Sequence, residues 1–429
     1  MSKKVLVTGE GAICASGKDP AEIWDAARAG RSAIAPIQQW DSASWPSKLA
    51  GEIADFNPRT LVEDRKLHKL VRRTDLLGLY AAAKAIEGAG LVAYRDALDP
   101  TGTDLFNDRT AVYVGSGGNK YQDQYDFFPL LTDAAGDLGA FGRELTGTVN
   151  PMWLLRVLPN NVLCHIGIRY NFKGPNGCVT NHGVSGTLAI VETAAALRAG
   201  EADQAVAVGH DAPVEPENIL HYHALGLLAA DTIRPFDAGH SGSILGEGAG
   251  ALILETESAA HARGAKVLGE FLGSGCVTEA EGLLSVRGDG DGLARAIAQA
   301  LDDAGIGTAE VGMVVAHGNG TPISDASEAS ALRRIFGTTP PPVTSFKWAF
   351  GHLLAASGII DTVLALNSLR HRQVPGIATL RDLAPACKHL AASAMPQPPR
   401  SDVALVLSRG FAGTDAALLL RASASAGDN

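Results

Sequence analysis

The chain has 429 residues, 46% hydrophobic and 19% charged, which is ample apolar material for a large core and lacks the polar excess of a disordered protein. Its 36 basic residues against 46 acidic ones leave a formal net charge of −10, which excludes a general nucleic-acid binder, because neutralising phosphates takes a basic surface. The length exceeds what one core usually organises, so two domains or one duplicated α/β unit are expected. The N-terminal run MSKKVLVTGEGAI is short and broken by Thr8 and Glu10, so it reads as a first strand and not as a signal peptide. Five cysteines, Cys14, Cys164, Cys178, Cys276 and Cys387, show no CxxC and no metal spacing, which points to a reducing, cytoplasmic setting and no metal centre.

Along the chain, short Val/Leu/Ala runs end in glycine-rich turns: KVLVTGEGA, TAVYVGSGG, QAVAVGHDA, GMVVAHGNG and VALVLSRGFAG. Such runs suit strands buried on both faces, and the Ala-rich segments 75–90, 185–199, 291–304, 325–336 and 352–369 suit the helices that cover them. A layered α/β chain follows, with a boundary between halves in 256–265, taken as 1–258 and 259–429. The stretch 352–369 carries His352 and Asp361, which favours a buried helix over a membrane span. GSGGNKYQ at 115–122 lacks the GxGxxG spacing and no GxxxxGK[ST] loop occurs, so a tight strand-to-helix turn is preferred to a nucleotide site.

Two histidines stand in glycine-rich turns after apolar runs, His317 in VVAHGNGTPISD and His352 in SFKWAFGHLLAASG. Glycine beside an imidazole lets a substrate approach it, and Lys347, five residues before His352, is placed to bias its charge or hydrogen bonding. Taken singly, each histidine is equally consistent with a capping or core role.

The blocks RYNFKGPNGCVTNHGVSGTLAIVETAAALRAGEADQAVAVG, RPFDAGHSGSILGEGAGALILE, AHGNGTPISD, KWAFGHLLAASG and SRGFAGTD stand in the order of the signature blocks of β-ketoacyl-[acyl carrier protein] synthases. The chain resembles the elongating synthase II type over nearly its whole length. The resemblance implies an α/β chain of the thiolase fold, five-layered αβαβα, with two pseudo-twofold-related halves, usually dimeric. It further implies an active-site set of His317, His352, Lys347 and the gate residue Phe411. Thr321 is implied to contact a phosphopantetheine arm, Asp325 and Glu328 to stand where the family supports the first histidine, and all three to be grouped with Asn319 in the substrate-binding part of the site. Asn319 stands where the family usually has threonine, Asp361 where it has glutamate, and Arg409 where it has an aromatic or small residue.

Counting without gaps from Gly174-Pro175 to Ser185-Gly186, the family's nucleophilic cysteine falls on Gly183, which cannot be acylated. Cys178 and Ser185 are poor substitutes on the strand before and the helix after. Without a nucleophile, the surviving histidines suit decarboxylation of a malonyl thioester, with backbone N–H groups of Gly183 and Phe411 as an oxyanion hole. The rival expectation is a non-catalytic chain-length-factor-like subunit paired with a cysteine-bearing ketosynthase; a binding protein for a free CoA ester is a third. No cofactor is expected beyond the phosphopantetheine of a partner acyl carrier protein, and the chain is expected to form a homodimer or a heterodimer. Arg65, Lys66, Lys69, Arg72 and Arg73 are expected to dock the acidic carrier, with residues 65, 69, 72 and 73 largely on one helical face. His182 is expected to pack beneath the turn that carries Gly183, in preference to the alternative of entering the vacated cavity.

Overall fold

The computed structural model describes residues 3–118 and 127–423; Asn119–Gln122 of the GSGGNKYQ segment lie outside the described residues. The N-terminal half supplies β1 (Val5–Cys14), β2 (Thr110–Ser116), β3 (Asn176–Val179), β4 (Gln204–Asp211) and β5 (Gly248–Thr256). The C-terminal half supplies β6 (Gly269–Thr278), β7 (Met313–Val315), β8 (Pro342–Thr344), β10 (Val403–Gly410) and β11 (Thr414–Ala422), with a two-residue strand β9 (Ala391–Ala392) added beside β8. Every residue of β4, β5 and β10 is buried, as expected of strands covered on both faces.

Strand order proves the duplication. The first half runs β1-β5-β4-β2-β3 and the second β6-β11-β10-β7-β8, so both follow the order first, fifth, fourth, second, third. In each half the first two pairings are antiparallel and the last two parallel. The half-sheets join edge to edge where Val5, Leu6 and Val7 pair antiparallel with Phe271, Glu270 and Gly269. The segment 257–268 links β5 to β6, and residues of both halves share one buried apolar cluster.

The helices repeat with the same symmetry. On the outer faces, α1 (Arg73–Gly88) covers β1, β5 and β4, and α3 (Asp291–Ala304) covers β6 and β11 with α4 (Pro322–Phe336) beside it. Between the sheets lie α2 (Ser185–Ala199) and α5 (Ser357–Arg370), which pack on each other. All of Ser357–Leu369 is buried, the signature of a helix enclosed on every side. The layers are helix, sheet, helix pair, sheet, helix.

The largest departure from the expected helix bounds is at α5, which begins at Ser357 and not near His352, whereas α1 and α4 start two and three residues before their expected ranges. Residues Leu354–Ala356 form a 3₁₀ turn in which Leu354 takes φ +43°. Its counterpart is the turn His182–Val184 before α2, with His182 at φ +45°. In both, the first serine of the helix reaches back four residues. Ser185 Oγ accepts from Asn181 N–H at 2.8 Å, and Ser357 Oγ accepts from Leu353 N–H at 3.1 Å. The periodic pattern ran through this turn because apolarity marks burial and not backbone conformation. Among the described residues, no helix is long and apolar enough to cross a membrane.

Candidate active site

The two elbows meet end to end, which brings the C-terminal histidine turns against Gly183. The rings of His317 and His352 stand edge to face with centroids 5.2 Å apart. A Cβ placed on Gly183 would lie 3.7 Å from Cε1 of His352 and 2.6 Å from the carbonyl oxygen of Arg409.

Backbone donors fix the tautomers of both rings. His317 Nδ1 accepts the N–H of Arg409 at 3.3 Å, and His352 Nδ1 accepts the N–H of Leu354 at 3.3 Å with Ser357 Oγ 3.0 Å away. An N–H can only donate, so each Nδ1 must carry its lone pair, and the hydrogen of each neutral ring sits on Nε2. Burial first, and then the nearby Lys347 cation, hold both imidazoles well below the usual histidine range. The site therefore holds two neutral imidazoles, each with an N–H donor at the ring end away from its backbone tether.

Lys347 does not bond to either histidine directly. Its ammonium is fully buried and lies 3.0 Å from Asp361 Oδ2, in the position expected of a glutamate. Asp361 Oδ1 has no partner among the described residues, and burial raises this carboxyl. Lys347 thus acts on the histidines through its field.

Asp325 and Glu328, expected among the substrate-binding residues, do not reach substrate space. Both are fully buried, and their oxygens hold backbone. Glu328 accepts the N–H groups of His317 and Gly318 at 2.7 and 2.9 Å, and burial pushes its carboxyl up to about 7. Asp325 accepts the N–H groups of Phe236 and Gly320, and His240 Nδ1 lies 2.9 Å from it. These are positioning residues for the His317 turn. Asn319 and Thr321 do face the cavity, where Asn319 Oδ1 accepts both the N–H and the hydroxyl of Thr321.

Arg409 spends its guanidinium away from the histidines, on Asp415 at 2.8 Å, Glu279 at 3.4 Å and the hydroxyls of Ser324 and Ser327. Burial raises Asp415 to about 6 despite that partner. The main chain of Arg409 serves the site instead, its N–H on His317 and its carbonyl against Gly183.

The oxyanion hole expected at Phe411 needs correction. Phe411 N–H donates to His182 Nδ1 at 3.3 Å, so a side chain already takes it. His182 does not pack beneath the turn. Its ring stacks on Phe411 at 4.2 Å between centroids, its Nε2 lies 2.6 Å from the Tyr222 hydroxyl, and it lines the same cavity as His317 and His352. The physical reason is the φ of +45° at His182, which turns its side chain out of the elbow. Tyr222 went unread in the sequence, hidden in HYHALG between two solvent-side histidines.

The cavity has a volume of about 240 Å³ and opens through Leu225, Leu283, Leu284 and Ile323, which are exposed. Cys178 lies outside it on β3, donates to the Pro159 carbonyl, and is pushed up to about 11 by burial. Ser185 is fully buried, with its hydroxyl between Asn181 N–H and the His182 carbonyl. Neither is placed as a nucleophile.

Of the five basic residues assigned to docking, Arg65, Lys66 and Lys69 are exposed. Arg72 is buried against the Arg156 carbonyl, and Arg73 pairs with the buried Glu247 and lies 3.8 Å over the Phe56 ring. The single helical face is absent because α1 starts only at Arg73, after a 3₁₀ turn over Leu67–Lys69.

The comparisons agree with this architecture. Residues 2–260 match the β-ketoacyl synthase N-terminal domain and residues 268–381 the β-ketoacyl synthase C-terminal domain. The chain is 31% identical over 384 residues to 3-oxoacyl-[acyl-carrier-protein] synthase 2 of Staphylococcus aureus strain N315, covering 87% of each. It is 30% identical over 427 residues to the protein of the same name in Synechocystis sp., covering 98% of each. Among solved structures, the ishigamide ketosynthase/chain length factor superposes with a TM-score of 0.87 at 28% identity, over 99% of this chain and 100% of that one. Matched from end to end in sequence, fold and internal symmetry, the chain belongs to the β-ketoacyl synthase family.

Proposed function

We propose that this member of the family decarboxylates a malonyl group presented as a carrier-protein thioester, without forming an acyl-enzyme. The observation that carries this reading is the pair of neutral imidazoles, each tied at Nδ1 and therefore offering Nε2–H to one cavity. When the bond between the malonyl carboxylate and its α-carbon breaks, its electron pair flows into the thioester carbonyl and carbon dioxide leaves. The negative charge collects on the enolate oxygen, where two preorganised donors stabilise it. A proton from solvent then completes the acetyl thioester. Burial and Lys347 keep both rings neutral, so neither needs to lose or gain a proton.

The test is a single-turnover assay with malonyl-carrier protein, scored by mass for acetyl-carrier protein. Wild type is expected to convert it, and His317→Ala and His352→Ala are each expected to slow it ~10²–10³-fold, the usual loss of one such donor. Conversion no faster than with carrier alone would refute the reading.

A second reading, a partner subunit for a cysteine-bearing ketosynthase, is favoured by one observation and one likeness. The Arg409 carbonyl oxygen lies 2.6 Å from where a Cβ at 183 would sit, closer than a side chain tolerates without a backbone shift, so the elbow leaves little room for a nucleophile. The similar ishigamide protein is described as a ketosynthase/chain length factor. Co-expression with such a ketosynthase and native mass spectrometry separates the readings: a stable heterodimer without turnover by this chain alone supports the partner role.

A further inference from the structure

His182 is, among the described residues, the lining residue common to two cavities. On one side lies the 240 Å³ space shared with His317 and His352. On the other lies a space of about 340 Å³ walled by Ser116, Gly117, Gly118, Val157, Pro159 and Thr180. Among the described residues, the ring is held at three points. Nδ1 accepts Phe411 N–H; Nε2, which must then carry the hydrogen, donates to Tyr222 at 2.6 Å; and the imidazole face lies 4.2 Å from the Phe411 ring. Phe411 is itself restrained, because Ala412 N–H donates to the Leu283 carbonyl at 2.7 Å and Gly413 accepts from Glu279 N–H at 2.7 Å.

We infer that His182 is a specificity-determining partition that confines the ligand to the first cavity and so restricts the site to short acyl groups. The inference rests on the reading of the site as one for acyl thioesters. To let a longer chain through, the ring must swing away and leave the Phe411 N–H and one donor–acceptor pair at Tyr222 unmade in a partly buried place. It must also give up its stacking contact. The restraint thus works against any chain that reaches past the histidine pair. Tyr222 is buried to 8% exposure, so water does not readily replace that partner.

The experiment measures binding of acyl-pantetheine thioesters from two to twelve carbons to wild type, His182→Gly and His182→Phe. Glycine is the informative truncation, because the φ of +45° is natural for it and the elbow stays unstrained. Phenylalanine keeps the bulk and loses both hydrogen bonds. Wild type is expected to bind the eight-carbon thioester at least tenfold more weakly than the two-carbon one. His182→Gly is expected to invert that order, gaining up to about fourfold per methylene that finds cover in the second cavity. His182→Phe is expected to remain selective for short chains. Equal wild-type affinity at two and eight carbons, or an unchanged profile in His182→Gly, overturns the inference. Failure of every thioester to bind either protein overturns the acyl-thioester reading beneath it, which keeps the two failures distinct.

Discussion

Gly183 has no side chain, and the place where one would start is crowded by main chain, with the Arg409 carbonyl oxygen 2.6 Å from it. Restoring a thiol by substitution therefore meets backbone, which yields less readily than a side chain. Gly183→Cys is expected to cost about 1–3 kcal/mol, the range for overpacking, and to take up no acyl group from an acyl-carrier protein. Thermal melts and intact mass check both halves, and a stoichiometric acyl adduct would show that β10 moves aside. A second residue-scale expectation concerns His210, away from the site on β4. It is fully buried, bonded at Nδ1 to Thr74 Oγ1 and without a partner at Nε2 among the described residues; burial lowers it from 6.5 to about 4. Because the folded value lies below the unfolded one, the unfolded state binds more protons between pH 4 and 6.5. The stability tied to neutral His210 is complete above about pH 6.5 and drains as pH falls toward 4. Between pH 7 and 5, wild type is expected to lose about 2 kcal/mol more than His210→Gln in urea titrations, as integration of the linkage relation gives. Parallel losses would mean that the histidine is not held neutral.

At the scale of elements, the site is a junction of two copies of one device: a strand, a turn with one residue near φ +45°, and a helix whose first serine caps the turn. The copies have diverged in what their serines hold. Ser185 donates to the His182 carbonyl, whereas Ser357 lies against the His352 ring. Ser357→Ala is expected to cost about 1 kcal/mol through the lost Leu353 acceptor. It should also slow decarboxylation by loosening the His352 ring, whereas Ser185→Ala should cost stability with a smaller effect on turnover; paired melts and single-turnover rates decide. The α4 helix contributes Glu328, whose two oxygens each take one backbone N–H of the His317 turn. Glutamine offers one acceptor and turns an NH₂ against the other donor. Glu328→Gln is expected to cost about 1–3 kcal/mol and to lower turnover with it. An unaltered melt would mean that the turn holds itself.

At the scale of the whole molecule, a chain of net charge −10 should repel an acidic carrier at long range unless a local basic surface receives it. Arg65, Lys66 and Lys69 are the exposed remnant of the basic segment. Reversing all three to glutamate is expected to weaken carrier binding at least tenfold at low salt, with the difference shrinking as ionic strength rises. Binding unaffected by the reversal would move the docking surface elsewhere. The corresponding change at Arg73 is a different experiment, since it strips the buried Glu247 of its cation and should fail as a folding defect.

The layered α/β architecture, the glycine turns that follow β2, β7 and β10, and the pairing of His317 with His352 as candidates were legible in the chain, whereas β1 and β4 run on through Gly9, Gly11 and Gly209, where turns were expected. Apolar runs, glycine punctuation and block order are local signals that survive without coordinates. The helix start at Ser357 and the burial of Arg72 and Arg73 were not legible; for Asp325 and Glu328 the resemblance pointed to support of the first histidine, but not to the backbone groups their oxygens take. Periodicity reports which residues are apolar, but the φ of one residue or the partner of one carboxylate depends on chain segments far away in sequence. The same holds for His182. Its ring faces the cavity and meets Tyr222 and Phe411, 40 and 229 residues further along, because the helix over Pro216–Ala224, the turn after β10 and the elbow converge there. The amino-acid order alone shows that position 183 is glycine and in what order the elements follow. The ring nitrogen that faces the cavity and the group beside Gly183 come from the folded chain, because both are set by backbone donors and carbonyls that a linear sequence does not position.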